Sequence, residues 1–491
     1  MQPLLDERGA RRHRGASWVT HVGPRVRTWA VFFLFGTLSW TLVTALFAEA
    51  AYFQKVLPEG QAIYADLDCA MELGNIVPAI LFLYVSSERQ LRKHNARITG
   101  AAAVVAVGAA ILWATTWNIT VNLGGTAAHG TSLFALLAAW LSGAIGSTSM
   151  LTFFNFAAPY GRDAISATSV GIGACGLVTN ILGITQGLPW LKDHHHGGKN
   201  NLTSISSSND GQGESIVGSS ELHFHASPAP AADDGLTFGP SVFFLLVGAW
   251  LVLAAGSFLT IRWQCCGLSV VVVADDDTDR VGETNGGVGY GRLLNDVEGW
   301  RRVGAAANSA TVNAHGDTDN HSIDRSLNFV NSALSALGEN PGPMAGIFVS
   351  CLTQFAMPGL VPYLVPCGRD HTSSSFWVTM FYLTGSLLGR MVTVAVQCRR
   401  FTLLNLLQTS GLVYAIIVTR MAVPLPLWLS IIVITVFSAV HGYIVTEVFH
   451  IVGKSAQKSA VGGLMNQAGA LTGSLCTFLL VKMDIIVKRE C

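Results

Sequence analysis

No Asp, Glu, Lys or Arg stands between Arg97 and Arg162. A helix needs roughly 20 apolar residues to cross a bilayer core, so residues 98–161 hold two crossings and the turn between them. The scarcity of charge is not local. Charged residues make up 12% of the chain and hydrophobic ones 50%, against about 25% charged in a soluble domain. A single anchor does not account for a deficit spread over nearly the whole length. Backbone polar groups in lipid must be bonded within their own segment, so the apolar runs are expected to be helices. The strands of a membrane barrel would be short and alternating, which these runs are not.

Hydropathy predicts eleven spans, at 29–50, 69–87, 98–117, 132–157, 164–187, 238–261, 343–365, 375–397, 401–419, 425–447 and 460–482. The expected fold class is therefore an all-α polytopic membrane protein with a six-plus-five, two-bundle carrier architecture. Residues 1–28 form an N-terminal tail, 29–261 a first bundle of spans one to six, and 341–482 a second bundle of spans seven to eleven. Residues 483–491 are a C-terminal tail. Two polar tracts read as poorly ordered loops: 188–237, with His194-His195-His196, and 263–340, with Asp275-Asp276-Asp277. The histidine run reads as a solvated loop rather than a metal site, and the vicinal Cys265-Cys266 as a juxtamembrane pair, acylated or not.

Short-loop charge sets the orientation. With the N-terminus inside, the inner segments carry Arg8, Arg11, Arg12, Arg14, Arg25, Arg27, Arg89, Arg92, Lys93, Arg97, Arg162, Arg399, Arg400, Lys454 and Lys458. The outer ones carry fewer cations, among them Lys55, Lys192, Lys199, Arg369 and Arg420. The sequons Asn118-Ile119-Thr120 and Asn201-Leu202-Thr203 fall outside in this orientation, with Asn201 the better placed for glycosylation. Loop 188–237 and the C-terminus are then extracellular, loop 263–340 cytoplasmic. The apolar run after the basic leader exceeds 20 residues and has no small-residue cleavage site, so it reads as span one rather than a signal peptide.

A net charge of zero argues against a nucleic-acid partner. There is no Walker motif, serine elbow, HExxH or CxxC, so no enzyme, cofactor or metal is expected. The pattern Gly171-x-Gly173-x-x-Gly176 lies inside a span without a preceding strand. It reads as close helix packing, not as a dinucleotide fingerprint.

Ionisable groups inside spans are costly and are functional candidates. Glu49 and Glu72 fall at outer span ends. With Glu59, Asp66 and Asp68 they make either an acidic outer mouth or groups that simply reach headgroup water. Arg390 lies about 10 Å deep at 1.5 Å per residue. It either snorkels or faces inward and pairs with a carboxylate such as Glu447. Tyr443, Glu447 and His450 share a helical face, as an inner-gate cluster or a proton relay. Neutral polar and aromatic groups recur within the spans: Trp40 and Thr44 on one face of span one, Thr152, Phe153 and Asn155 in span four, Gln186 at the end of span five, and Asn466 and Gln467 in span eleven. Such a lining suits a neutral, flat, hydrogen-bonding solute.

The stretch Phe35-Gly36-Thr37-Leu38-Ser39-Trp40, then Glu49 and Leu57-Pro58-Glu59-Gly60, resembles the start of the eukaryotic riboflavin transporters. Gly74-Asn75, Thr152-Phe153-Phe154-Asn155-Phe156, Gly171-Ile172-Gly173 with Gln186-Gly187, Gly359-Leu360-Val361-Pro362 with Cys367, and Gln467 with Gly469 and Gly473 extend the likeness. It covers spans one to five well and the later spans in patches. Seven positions depart: Thr44 replaces the family's Asn, Phe47 its Trp, Ala50-Ala51 its Leu-Pro, Ile172 its Gln, and Gly389-Arg390 its Asn-Pro. The resemblance implies a plasma-membrane importer of riboflavin working by alternating access. It assigns Trp40, Phe153 and Tyr363 to stacking on the flavin ring. Thr44, Thr152, Asn155, Gln186 and Gln467 take its polar groups, and Glu49, Glu59, Glu72 and Arg390 act in gating. The alternatives are a carrier of another flat metabolite, a nucleoside or pterin, or a receptor-like protein that does not transport.

Overall fold

Among the described residues of the computed structural model, eight helices are long and apolar enough to cross a membrane, and a ninth span forms if two helices bent by 54° count as one. The protein is thus an all-helical polytopic membrane protein. The described residues are 26–84, 88–122, 131–191, 223–226, 236–264, 335, 337–365, 370–398, 400–421, 426–452 and 456–486. Asn201, His194-His195-His196, Cys265-Cys266, Cys367 and nearly all of loop 263–340 lie outside them.

The helices are α1 (Val26–Thr37), α2 (Thr41–Val56), α3 (Ile63–Leu73), α4 (Ile76–Tyr84), α5 (Glu88–Thr116), α6 (Leu133–Ala157), α7 (Arg162–Gln186) and α8 (Pro240–Gln264). They continue with α9 (Pro341–Ala356), α10 (His371–Ala395), α11 (Phe401–Met421), α12 (Leu427–Val452) and α13 (Ala456–Lys482). One departure from the all-helical expectation is a two-stranded antiparallel ribbon. In it β1 (Ile119–Asn122) pairs with β2 (His223–Ala226). The β-branched run Ile119-Thr120-Val121 favours the extended form, and it places part of loop 188–237 against the end of α5.

Three predicted spans are discontinuous. Span one breaks at residues 38–40, where Leu38 and Ser39 donate to the carbonyls of Phe35 and Gly36, three residues back, and so end the α-helical ladder. Span two breaks at Gly74-Asn75, which bond back to Met71 and Glu72 in the same way. Its first half also carries Asp66, Asp68 and Glu72, which is why it does not read as one apolar crossing. Span seven ends its α-helix at Ala356 and continues as a 3-10 segment, Pro358–Tyr363. Pro358 and Pro362 each lack the N–H an α-helix needs.

Lipid gives helices little hydrophobic reason to associate, so close backbone approach has to supply the packing. A Cβ on Gly171 would strike the carbonyl of Phe33 on α1, and one on Gly176 would lie 2.7 Å from the Leu383 Cβ on α10. Gly389 and Gly442 bring α10 and α12 together, while Gly469 and Gly473 bring α13 onto α9. Aromatic stacks fill the remainder: Phe53, Trp113 and Phe244 join α2, α5 and α8, with centroids 5.9 and 5.0 Å apart. Outward faces stay apolar, as at Val104, Leu253, Val394 and Leu406. Two seams join α1–α8 to α9–α13: α7 lies on α10, and α3 lies on α13.

Candidate functional site

A cavity of about 650 Å³, part of it open to solvent, sits where the breaks in spans one and seven face each other. One wall comes from α2, α6 and α7 with the 38–40 turn: Trp40, Val43, Thr44, Phe47, Met150, Ile172, Gly173 and Gly176. The other comes from α9, α10, α12 and α13: Gln354, Phe355, Tyr382, Leu383, Ser386, Arg390, His441 and Asn466.

The rings form a line. Trp40 lies 5.5 Å from Phe355 at 45°, and Phe355 meets His441 edge-on at 6.2 Å. Trp40 occupies the turn itself, its indole half-buried between Gly146 of α6 and Phe355 of α9, and Thr44 donates to the Trp40 carbonyl at 3.1 Å. The polar wall is organised by bonds among its own residues. Tyr382 donates to the Gln354 carbonyl at 2.9 Å, and the Gln354 amide donates to Ser438 at 3.1 Å. Ser350 joins His441 at 3.0 Å and donates to Gln408 at 2.8 Å. Asn466 accepts from the Cys351 thiol at 2.8 Å. The Gln354 side-chain oxygen, Oε1, is buried without a hydrogen-bond partner.

Of the expected ligand residues, the cavity brings together only Trp40 and Thr44. Phe153 stacks on Phe35 at 4.1 Å and belongs to the packing of α1 on α6. The Thr152 and Asn155 side chains bond back to carbonyls four residues earlier, and the Thr152 carbonyl accepts from Asn95. Tyr363 is buried in the 3-10 segment, close to Asp66. Gln186 ends α7 facing Glu49, away from the cavity. Gln467 faces α3, its backbone carbonyl accepting from Asn75.

The expected gating residues need correction too. Glu49 and Glu72 do not form a water-facing mouth; both are fully buried, because the helices around α2 and α3 close over them. Glu72 bonds Asn75, which also takes the Ser147 hydroxyl. Asp68, one turn away, lies beside Ser474 of α13. Asp66 pairs with Lys482 at 2.8 Å, so the α3–α13 seam is acidic along its length. Glu59 accepts from the backbone and hydroxyl of Ser132 at 2.7 and 3.0 Å, holding the 57–62 turn to α6. Arg390 neither snorkels nor pairs with Glu447. It is 5% exposed and donates to the Ser169 hydroxyl at 3.1 Å. Glu447 faces His450 instead, at 3.7 Å. Tyr443 leaves that pair and donates to the carbonyl of Val396 at 3.1 Å. Asn118 sits in the turn between α5 and β1.

Contacts between the two sets of helices flank the cavity at both ends. Toward the 57–62 turn, Gln54 meets His371 at 2.9 Å and Ser373 donates to Pro189 at 2.5 Å. Toward the 157–162 turn, Phe154 stacks on Phe449 at 4.4 Å. There Ser169 joins Thr446 at 2.9 Å and Ser166 joins His450 at 3.3 Å. Sequence reasoning passed over Gln354, Phe355 and Tyr382. Their signal was the Pro358 and Pro362 pair just beyond, which stops a helix beside an amide and a ring.

Comparison with known proteins adds a family match. A family model described as solute carrier family 52, riboflavin transporter, matches residues 25–285, more than half of the chain. A protein of Salmo salar named riboflavin transporter 2 is 27% identical over 230 residues, 47% of this chain and 47% of that one. A Danio rerio protein named solute carrier family 52, riboflavin transporter, member 3-B is 24% identical over 231 residues, 47% of this chain and 46% of that one. The chain therefore spans about half the length of the curated relatives it matches. Among solved structures, the xylose transporter XylE from E. coli aligns over 95% of this chain and 100% of its own, at 12% identity and a TM-score of 0.48.

Proposed function

The chain belongs to the solute carrier family 52 riboflavin transporters, and from that premise we propose that it carries riboflavin across the plasma membrane by alternating access. The observation that carries the reading is the cavity at the facing helix breaks, where Trp40 and Phe355 offer ring faces and Gln354 an unpartnered acceptor. A tricyclic ring laid against the two aromatics would turn its imide N–H toward Gln354, with Thr44 and Asn466 taking further polar groups.

Eleven spans fit this reading: the eight continuous helices, the bent α1–α2 pair, the interrupted α3–α4 pair, and α9 with its 3-10 extension. The chain then divides as residues 29–261 and 341–482, with the N-terminus inside and the C-terminus outside. Breaks in the helix beside a mid-membrane site suit a carrier, because unwound backbone is tolerated where it lines a cavity. The contacts at the two ends are the natural gates, since rocking about the α7–α10 and α3–α13 seams opens one while the other stays shut. Asn118 and Asn201 fall on the outer side as glycosylation candidates.

The test is uptake of labelled riboflavin by a riboflavin-auxotrophic host expressing the full chain. Accumulation that excess unlabelled riboflavin abolishes and nucleosides leave untouched is the expected result. Strong competition by nucleosides or pterins would make it a carrier of another flat metabolite. Surface expression without uptake would make it a non-transporting membrane protein.

A further inference from the structure

Arg390 has no task in the transport of a neutral vitamin. Among the described residues lining the cavity it is the one that carries a full charge. Its hydrogen bonds run to neutral oxygens: the Ser169 hydroxyl at 3.1 Å, the Ser169 carbonyl at 3.5 Å and the Ser386 hydroxyl at 3.5 Å. A guanidinium has five donors in a planar fork, so these three bonds, two of them at 3.5 Å, leave two donors unspent. The ionisable groups that sense it, Cys175, Cys351 and His441, supply no negative counter-charge as thiols and a neutral imidazole. None of the described carboxylates comes within ion-pair distance of it. Glu447 faces His450, Glu72 is taken by Asn75, and Asp68 lies in the α3–α13 seam beside Ser474.

The fold delivers this side chain to the cavity deliberately. Gly389, the residue before it, lets α10 close onto α12. Gly173 clears the path of the arginine stem: a Cβ there would stand 2.8 Å from the Arg390 Cδ. A buried cation without a counter-charge is among the costlier things a protein can hold. It is accounted for when a ligand brings the anion, and the planar fork suits carboxylate and phosphate oxygens in particular.

We propose that the cavity takes a flat heteroaromatic ligand bearing an anionic group, a phosphate or a carboxylate, and that Arg390 binds that group while Trp40 and Phe355 hold the ring. The proposal rests on the flavin-carrier reading above and narrows its substrate class. The family resemblance places an Asn-Pro pair where this chain has Gly389-Arg390, so the charge is a feature of this chain's polar wall.

The experiment is equilibrium binding to the purified full chain of three probes: riboflavin, riboflavin 5′-phosphate, and a flavin whose side chain ends in a carboxylate. The ratio of affinities, anionic over neutral, is the readout. In the unaltered protein at least one anionic probe is expected to bind about tenfold or more tighter than riboflavin, as charged hydrogen bonds do over neutral ones; which probe wins separates phosphate from carboxylate. Arg390→Gln should bring the ratio near one, and Arg390→Lys should keep part of it. Riboflavin binding tighter than both anionic probes would overturn the proposal and leave the flavin reading standing. A ratio that Arg390→Gln does not change would do the same, because Arg390 would then be reading ring carbonyls. Failure of every flavin to bind would overturn both. The comparison of probes on the unaltered protein stands even if Arg390→Gln does not fold.

Discussion

The two walls of the cavity differ in kind. The wall from α2, α6 and α7 is mostly apolar and small: Val43, Phe47, Met150, Ile172, Gly173 and Gly176 shape the space, with Trp40 as its ring. The wall from α9 to α13 holds Gln354, Tyr382, Ser386, Arg390, His441 and Asn466, tied to one another by hydrogen bonds. The family match at residues 25–285 ends before the second wall begins. The apolar wall falls within the match, and the polar wall lies beyond it.

The largest expected break in this contrast is a steric one. Gly389→Ala drives a methyl into the Ala439 carbonyl on α12; it should cost about 1–3 kcal/mol and displace the polar wall, seen as lost thermal stability and lost riboflavin binding. Gly146→Ala on the apolar wall adds a methyl at ordinary contact distance, 3.5 Å from Val43 and 3.6 Å from Trp40. Its thermal midpoint should stay near that of the unaltered protein. Next in size is Trp40→Ala, which removes a ring face and should weaken every flat ligand by roughly tenfold, measured by quenching of flavin fluorescence. Gln354→Leu should cost about three- to tenfold, one hydrogen bond's worth, and should reorder flat ligands according to whether they carry an imide N–H. A Gln354→Leu loss equal across all flat ligands would mean the two walls do not divide the work.

Smaller effects belong to the ion pairs outside the cavity. Asp66→Asn breaks the pair with Lys482, whose partners are 9% and 44% exposed; it should change stability by at most about 1 kcal/mol. Glu339 and Lys458 pair at 2.6 Å on the surface, and the lysine with the Ser335 hydroxyl holds the Glu339 carboxyl below the usual range. A carboxyl lowered in the folded state contributes above its unfolded pKa and loses that contribution as pH falls through the folded one. Glu339→Gln should therefore lower the thermal midpoint only slightly at neutral pH, and that difference should vanish as pH falls below the usual carboxylate range and the Glu339 carboxyl is protonated.

The membrane class was legible in the chain because hydropathy is a sum over many residues. The helix edges near 132–157 and 164–187 were legible for the same reason, and α6 and α7 fall within a few residues of them. The breaks were harder. Pro358 and Pro362 announce one, but the 38–40 turn carries neither proline nor glycine, and only its bonds to Phe35 and Gly36 reveal it. Site residues were harder still. Hydropathy places Trp40 and Phe153 alike inside predicted spans. Which of them meets the cavity depends on helix rotation, set by contacts such as Phe35 on Phe153. Glu49 and Glu72 looked like mouth residues by depth alone, and packing from helices distant in sequence buries them. Arg390 was visible as an ionisable group in a span; that it lacks a carboxylate required the positions of α7 and α12.

The central claim is that ligand is held between Trp40 on one wall and Gln354 on the other. Saturation binding of riboflavin to the purified Trp40→Ala/Gln354→Leu double variant, checked for folding by its thermal midpoint, tests it most directly. The account predicts a loss of roughly thirtyfold or more, the product of the two single effects. A folded double variant that binds riboflavin as the unaltered protein does would contradict it.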